Sequence, residues 1–206
     1  MDYLNATPVA ALVLIFTVVT SIYAFNDNSI YGRFMLHPYS ISRKHKLYTF
    51  ITSGMIHADW MHLIFNMMTF FFFAFPLERM IGSWQFGMVY FVSLILSDVP
   101  TVFKHKNDMW YNSLGASGAV SGVLFSYILF QPFSSMMIFP IPIPIWAIIF
   151  GPLYLLYCVY ASKNARDHIN HDAHFFGALT GLIVTALIVP GAIEHFLSEI
   201  MNKIGG

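Results

Sequence analysis

The sequence contains few charged residues and almost no cysteine. Charged side chains make up 10% of the 206 residues, whereas soluble globular proteins carry about 25%. Lys plus Arg and Asp plus Glu number 10 each, so the net charge is zero. This balance excludes the basic surface that nucleic-acid-binding proteins need. The single cysteine, Cys158, excludes a disulfide framework and a cysteine-based zinc site. Because it lies in an apolar run, we expect it to face lipid or to fill a packing gap.

Apolar residues are correspondingly abundant. Hydrophobic residues account for 57% of the chain and aromatic residues for 17%, more apolar surface than a soluble domain could cover. A transmembrane helix needs roughly 17–25 mostly apolar residues. The sequence therefore predicts an all-α membrane protein with a six-transmembrane-helix bundle, forming one domain over residues 1–206. The predicted spans cover residues 8–25, 60–75, 84–103, 117–131, 145–161 and 173–189.

The segments between the spans carry their own signals. No basic segment precedes the first span, so we expect it to be retained rather than cleaved as a signal peptide. The longest connection, residues 26–59, mixes aromatic with basic residues, which is typical of elements lying in the membrane interface. Proline at positions 140, 142 and 144 predicts an extended segment ahead of the fifth span. We expect the polar run 104–113 to line a water path.

Polar side chains inside the spans are the first candidates for function, because they are costly in hydrocarbon. His62 and Asn66 are four residues apart in the second span, so they share one helix face. Both can donate hydrogen bonds to a carbonyl oxygen or an anion. The alternative is that the pair only joins two helices by a polar contact.

The fourth span opens with a glycine-rich segment around one serine. Gly115, Gly118 and Gly122 remove side chains from the backbone near Ser117. Helix packing through small residues accounts for the glycines. It does not account for a hydroxyl at the start of a helix, where the amides and the helix dipole favour negative charge on a bound oxygen.

The sixth span begins with a histidine cluster. His174, Gly177 and Gly181 fall on one helix face, so this helix can dock closely through its glycines and bring His174 against a neighbour. We expect His168 and His171 to lie in the preceding loop. A metal site that uses them together with His57 and His62 is an alternative, although no HExxH motif or cysteine accompanies these residues.

A serine, a histidine and two further donors on three spans could supply a nucleophile, a base and an oxyanion hole. In this arrangement the sequence resembles the rhomboid family of intramembrane serine proteases. The resemblance covers about residues 48–190. Four motifs carry it in order: His57-x4-His62-x3-Asn66, Glu78 with Gly82-Ser83, Gly115-Ala116-Ser117-Gly118, and Ala173-His174-x2-Gly177-x3-Gly181.

The resemblance implies the six-helix fold of the rhomboid type and a Ser–His dyad without metal or organic cofactor. Ser117 would be the nucleophile and His174 the general base. The oxyanion donors would be the Ser117 amide and the side chains of His62 and Asn66. His57 would have a structural role. Many family members carry a tyrosine four residues after the nucleophile, stacked on the catalytic histidine; here that position is Ser121, so its hydroxyl or another aromatic ring must support His174.

The expected partners are the lipid bilayer and single-span transmembrane protein substrates; the sequence does not predict an oligomeric state. A catalytically inactive, client-binding relative and a histidine-dependent metal enzyme or transporter are the alternative functions. We expect the chain in the cell membrane, with the site on the extracytoplasmic side by resemblance. The positive-inside rule argues for the opposite orientation. Eight basic residues share the side of the site (Arg33, Arg43, Lys44, Lys46, Lys104, Lys106, Lys163 and Arg166), against Arg79 and Lys203 on the other.

Overall fold

The computed structural model describes residues 5–138, 141–167 and 169–205. Helices dominate this part of the chain, with one short hairpin. A 3-10 turn, Ser53–Met55, follows the fourth helix. The other elements in chain order are α1 (Pro8–Asn26), α2 (Ser29–Phe34), α3 (Pro38–Ile41), α4 (Thr49–Thr52), α5 (Trp60–Ile81), α6 (Ser83–His105), α7 (Ser117–Phe130), β1 (Ser135–Ile138), β2 (Ile141–Trp146), α8 (Ala147–Asn164), α9 (His171–Ile188) and α10 (Ala192–Gly205).

The predicted helical membrane bundle is confirmed, and α1 and α5 to α9 are the helices at the positions of the six predicted spans. Among the described residues, α1, α5, α6 and α9 are long and apolar enough to cross a membrane, and α7 is a shorter apolar helix. A helix rises 1.5 Å per residue, so the 14 residues of α7 cover about 21 Å, less than the roughly 30 Å of a hydrocarbon core. A helix of this length cannot reach both surfaces of the hydrocarbon core.

One predicted span ends later than the sequence indicated. We expected the second span to stop at Pro76, but α5 continues to Ile81, whereas α6 ends at His105, within two residues of the predicted end at residue 103. A proline removes one helical hydrogen bond, and packing against neighbouring helices offsets that loss in membrane bundles. The extra turn of α5 is buried at Leu77 and Glu78. Gly82, with a φ of +87°, ends the helix.

The fifth span starts later than predicted. The extended segment that we expected from the prolines is present as β2, which pairs antiparallel with β1 in a two-stranded sheet within the described residues. Because residues up to Trp146 belong to the paired strand, α8 begins only at Ala147. The first amides of α8 then donate to loop carbonyls, Ala147 to Ser134 at 3.0 Å and Ile148 to Pro132 at 2.8 Å.

The connection 26–59 contains short elements, as expected, namely α2, α3, α4 and the 3-10 turn, and it is paired to the loop before α7. Their position in the membrane interface stays a prediction. The C-terminal helix α10 was not predicted, because the sequence analysis ended the last element at the 190–191 Pro-Gly pair. Cys158 does not face lipid: its side chain is fully buried, which leaves the packing role.

Helix α7 forms the centre of the bundle. It is apolar on all sides and buried over most of its length, as expected for a helix surrounded by others. It packs against α9, α6 and α5. The contact with α9 is the closest: a Cβ on Gly177 would overlap the carbonyl of Gly118, and one on Gly181 would overlap that of Gly122. Glycine at these positions lets the two backbones meet directly.

Glu78 fixes α1 to α5. Its carboxylate accepts hydrogen bonds from the backbone amides of Val9 at 3.1 Å and Ala10 at 2.7 Å, and the side chain is 1% exposed. The first four amides of a helix have no partner within the helix, and a negative charge near them is favourable. A buried carboxylate on one span therefore caps the start of another.

Candidate active site

Ser117 is the first residue of α7, and the loop before it is held by backbone pairing. Leu36 and Ser113 exchange two backbone hydrogen bonds of 2.9 and 3.1 Å, and the amide of Gly115 donates to the carbonyl of Ser53 at 2.9 Å. Gly115 has a φ of +112°, a backbone conformation that residues other than glycine rarely adopt. The connection 26–59 thus positions the turn that presents Ser117. The Ser117 amide is one of the unpaired amides at the start of the helix.

The His62 side chain packs against the same turn. A Cβ on Gly115 would lie 2.7 Å from Cε1 and 2.8 Å from Nε2 of His62, so Gly115 is required by space as well as by φ. The amide of Ala58 donates to Nδ1 of His62 at 3.5 Å. A ring nitrogen that accepts a hydrogen bond carries no proton, so this long contact is compatible with the tautomer that carries its proton on Nε2. In this tautomer, His62 presents a donor toward the turn that precedes Ser117.

Asn66 lies one turn further along α5, and it is 8% exposed. Its Nδ2 donates to the carbonyl of His62 at 3.0 Å. An amide nitrogen carries two hydrogens, so one remains for another acceptor. Among the described residues, neither His62 nor Asn66 has a side-chain hydrogen bond to another helix, which does not support the polar contact between helices considered above.

His57 is buried behind His62. Its ring packs edge-to-face on the His62 ring at 4.8 Å, and its Nδ1 lies 3.0 Å from the Ser21 hydroxyl of α1. Burial, with a smaller effect from His62, lowers the pKa of His57 to about 3. The ring is therefore neutral near neutral pH. These contacts give His57 a supporting position between α1 and His62.

The glycine contact between α7 and α9 brings Ser117 and His174 to one cavity. His174 lies one turn into α9, beside the Ala173 carbonyl that approaches Gly118. Both side chains line a cavity of about 900 Å³. The two side chains are described, and neither has a hydrogen bond to the other. Catalytic hydrogen bonds are often long before substrate binds, so this geometry is compatible with a nucleophile and base.

The cavity has mainly apolar walls and opens on the outer surface of the bundle. The α5 wall carries aromatic residues and methionine, with Asn66 and Thr69 as its polar side chains. The opposite wall comes from β1 and α8. Met68 and Phe72 of α5 and Met137 of β1 line the cavity and are also exposed on the outside. An apolar chain can therefore reach Ser117 from the side of the bundle.

The loop and helix before His174 differ from the prediction at one residue. His171 does not lie in the loop: it is the first residue of α9, 4% exposed, with Nε2 3.2 Å from the Asp167 carboxylate. The helix starts there because the Asn170 side chain caps it, accepting from the Ala173 amide at 3.1 Å. The His171 ring packs edge-to-face on His174 at 5.9 Å. Asp172 binds Lys104 and Ser162 and not His174.

The histidines do not group as a metal site would require. Among the described residues, no three His, Cys, Asp or Glu side chains are placed to hold one ion. His57 pairs with His62, and His171 pairs with His174. His168, the remaining residue of that alternative, lies outside the described residues.

Comparison with known proteins identifies the family of this chain. The family model for the rhomboid domain matches residues 44–191, which include His57, His62, Asn66, Ser117 and His174. The chain belongs to the rhomboid family. With its apolar helices, it is an integral membrane protein.

Relatives with curated descriptions come from several kingdoms. YdcA of Bacillus subtilis, named as a rhomboid protease, is 32% identical over 145 residues, covering 68% of this chain and 66% of YdcA. The mitochondrial RHOMBOID-like protein 12 of Arabidopsis thaliana is 25% identical over 179 residues, covering 77% and 53%. Rhomboid-type serine protease 2 of Emericella nidulans is 32% identical over 82 residues, covering 40% and 16%. This rhomboid chain thus matches at most about two thirds of each relative's length.

A second ring contact to His174 in this rhomboid chain comes from α8. The Tyr154 ring lies nearly parallel to the His174 ring, at an interplanar angle of 11° and a centroid distance of 6.4 Å. Its hydroxyl lies 3.0 Å from the Ser121 hydroxyl, which is buried. Sequence reasoning identified the gap at Ser121 but missed Tyr154. Phe150 and Tyr154 are four residues apart on one face of α8, and that spacing was the available signal.

Proposed function

We propose that this chain is an intramembrane serine endopeptidase that cleaves transmembrane segments of other membrane proteins. The observation that carries the proposal is the shared cavity. The glycine contact between α7 and α9 brings the Ser117 hydroxyl and the His174 imidazole to one apolar chamber that opens toward lipid. A nucleophile and a base at the end of one chamber are the minimum requirement for acyl transfer.

In the proposed reaction, the Ser117 oxygen attacks the scissile carbonyl carbon while His174 accepts the hydroxyl proton. The resulting oxyanion accepts hydrogen bonds from the Ser117 amide, His62 Nε2 and the free Asn66 amide hydrogen. His174 then returns the proton to the leaving amine, and the C–N bond breaks to leave an ester on Ser117. Water attacks this ester with His174 again as base, which releases the new carboxyl end and restores the serine. No metal or organic cofactor takes part.

The cavity indicates the class of substrate. Aromatic and methionine side chains on its walls fit an apolar peptide, and the exposed Met68 and Phe72 lie where such a peptide would arrive from lipid. Because α7 is too short to cross the hydrocarbon core, Ser117 lies below the membrane surface if the other end of α7 reaches the opposite surface. Single-span proteins whose helix unwinds easily near a small residue fit these constraints.

The cell membrane, with the cavity end extracytoplasmic, is the orientation that we propose. The ion pair between Lys104 and Asp172, with Nζ 2.6 Å from the carboxylate, neutralises one of the eight basic residues on that side. The positive-inside rule counts Lys and Arg rather than net charge, so this ion pair does not remove the conflict, and the proposed orientation rests on the family resemblance. The test is to introduce a cysteine into the loop between α6 and α7 that contains Trp110. Labelling of this cysteine in intact cells would establish on which side of the membrane the loop lies.

Covalent labelling tests the function directly. Purified protein in lipid vesicles, treated with a serine-directed fluorophosphonate, is expected to carry one adduct, on the peptide that contains Ser117. The same preparation is expected to cut a single-span reporter protein inside its transmembrane segment. Mass spectrometry of the labelled peptide and of the reporter fragments measures both results. An adduct spread over several exposed serines, with no cleavage of the reporter, would contradict the proposal and favour an inactive client-binding protein.

The oxyanion assignment has its own expected result. Removing one oxyanion donor lowers turnover about 100- to 1,000-fold in serine proteases, so Asn66→Ala and His62→Ala are each expected to lose activity in this range. The interaction strengthens in the transition state, so kcat should fall more than KM rises. The measurement is reporter cleavage per folded molecule, with the melting temperature of each variant recorded in detergent.

Thr69→Ala is the matched control for this series, because Thr69 also lines the cavity from α5 but lies one turn further from Ser117. It should retain most activity. If Asn66→Ala and His62→Ala melt at clearly lower temperatures and yet cleave at nearly normal rates, the two residues stabilise the fold and are not oxyanion donors.

Tyr154 is expected to hold the His174 ring in position. Aromatic pairs contribute about 0.5–1.5 kcal/mol beyond their buried area, which is about two- to tenfold in rate. Tyr154→Leu should therefore slow labelling by a small fluorophosphonate about tenfold or less, whereas Tyr154→Phe keeps the ring and should stay close to wild type. A small probe does not fill the cavity, so the labelling rate reports on His174 rather than on substrate binding.

Tyr160→Leu serves as control, since Tyr160 lies on the same helix and is exposed on the outside. It should label at the wild-type rate. Equal slowing by Tyr154→Leu and Tyr154→Phe would show that the hydroxyl contact with Ser121, and not the ring, supports the base.

A further inference from the structure

The C-terminal helix α10 lies outside the part of the chain that matches the family model, which ends at residue 191. It begins four residues after α9 ends, and Gly191 makes the turn with a φ of +78°. Ser117 begins α7 and Phe130 ends it, so contacts of α10 with Phe130 place this helix at the opposite end of the bundle from Ser117.

Two contacts fix the direction of α10. Near its start, His195 Nε2 donates to the Phe130 carbonyl at 3.1 Å, and the two rings stack at 5.7 Å. Near its end, Lys203 Nζ lies 5.5 Å from the Trp146 ring and 6.0 Å from the Phe133 ring. Eight residues of helix separate these contacts, about 12 Å. The helix therefore runs across the end of the bundle, from the end of α7 to the hairpin, instead of pointing away from it.

The surface of α10 is divided into three strips along its axis. The bundle-facing strip carries His195 and Lys203. A second strip is apolar and exposed, and it consists of Ile193, Leu197, Met201 and Ile204. A third strip is polar and exposed, and it consists of Glu194, Ser198 and Asn202. Successive residues are about 100° apart on a helix, so the polar strip lies about a quarter-turn from the apolar strip.

We propose that α10 lies in the membrane interface at the end of the bundle away from Ser117, with the apolar strip in the acyl-chain boundary and the polar strip in water. A helix that spans the membrane would be apolar on all sides. A helix that lies in water would expose no continuous apolar strip. Two exposed strips of opposite character, beside a flank held by protein, are what a helix at a membrane surface needs.

Lipid is the occupant of the apolar strip because of where the helix is attached. The lipid-facing surface of α9, with Ile183 and Leu187 exposed, ends only a few residues before the exposed Ile193, so the apolar strip continues that surface. Trp146, half exposed at the base of α8, has the position of an interfacial aromatic residue. The helix carries Glu194, Glu199 and Lys203, so its attachment should need no anionic lipid.

The test uses the full-length protein in vesicles of phosphatidylcholine alone. With Cys158→Ala as background, single cysteines at Leu197 and Met201 probe the apolar strip, and those at Ser198 and Asn202 probe the polar strip. Each cysteine carries a small fluorophore. A lipid-borne quencher is expected to reduce fluorescence at Leu197→Cys and Met201→Cys roughly threefold more than at Ser198→Cys and Asn202→Cys, and aqueous iodide should show the reverse order.

Equal iodide quenching at all four positions would overturn the proposal, since α10 would then lie in water. Protection of positions 197 and 201 from both quenchers, lost when the protein is diluted about tenfold in lipid, would show that a second copy covers the strip. The outcome does not depend on proteolytic activity, because the same pattern is expected in the Ser117→Ala protein.

Discussion

Replacing Ser117 with alanine is expected to abolish both fluorophosphonate labelling and reporter cleavage, while the protein still inserts and melts near the wild-type temperature. The reaction proposed here forms a bond to the Ser117 oxygen. Among the other hydroxyls that line the cavity, those of Ser121 and Tyr154 pair with each other, and those of Thr69 and Ser135 lie on the walls formed by α5 and β1. Loss of a catalytic serine costs several orders of magnitude in turnover. Labelling and cleavage of the purified variant in vesicles are the measurements.

Ser113→Ala is the matched control, because Ser113 is a hydroxyl four residues upstream in the loop that leads into α7. It should keep labelling at Ser117. Cleavage of a transmembrane reporter by the Ser117→Ala protein at the wild-type rate would remove the serine mechanism altogether.

Replacing His174 with alanine is the second substitution with a very large expected effect. A neutral serine is a poor nucleophile without an adjacent proton acceptor, so labelling should fall by at least about 1,000-fold near neutral pH. Any residual rate should rise with pH, since only hydroxide or the serine alkoxide remains to replace the base. The measurement is the second-order labelling rate across the pH range in which the variant stays folded.

The His171→Ala substitution should lower the labelling rate much less than His174→Ala. It should still lower the rate more than a substitution in the loop would, because the His171 ring packs on His174. His195→Ala, at the other end of the bundle, should label normally. Equal losses at His168, His171 and His174, together with inhibition by a chelator, would instead support the metal enzyme.

The fold was predictable to the level of the bundle, and the errors have local causes. Apolar runs identified the spans because burial in lipid requires them along their whole length. Pro76 led to a wrong prediction for the end of α5, since packing against neighbouring helices can offset one lost hydrogen bond. The β1–β2 hairpin and α10 were missed because pairing of proline-rich chain and the angle of a terminal helix depend on contacts that no local pattern encodes.

For the candidate site, the sequence indicated which residues belong together but not which other residues hold them in position. The glycines around Ser117 and after His174 predicted close contact, and the backbones of α7 and α9 do meet there. The His62 ring packs against Gly115, and the Tyr154 ring stacks on His174. Each of these contacts joins residues at least 20 positions apart on different elements of the fold. Such pairs follow from tertiary packing, which a single sequence does not display.

The order of synthesis gives the α7–α9 contact a further consequence. Ser117 leaves the ribosome well before Tyr154, and His174 follows 57 residues after Ser117. At about 5–20 residues per second, the serine waits several seconds for its base. During that interval the nascent chain holds an unactivated hydroxyl inside a membrane crowded with other single helices. If Ser117 and His174 form the proposed dyad, its division between the fourth and the sixth span would keep the hydroxyl without its base until α7 and α9 meet.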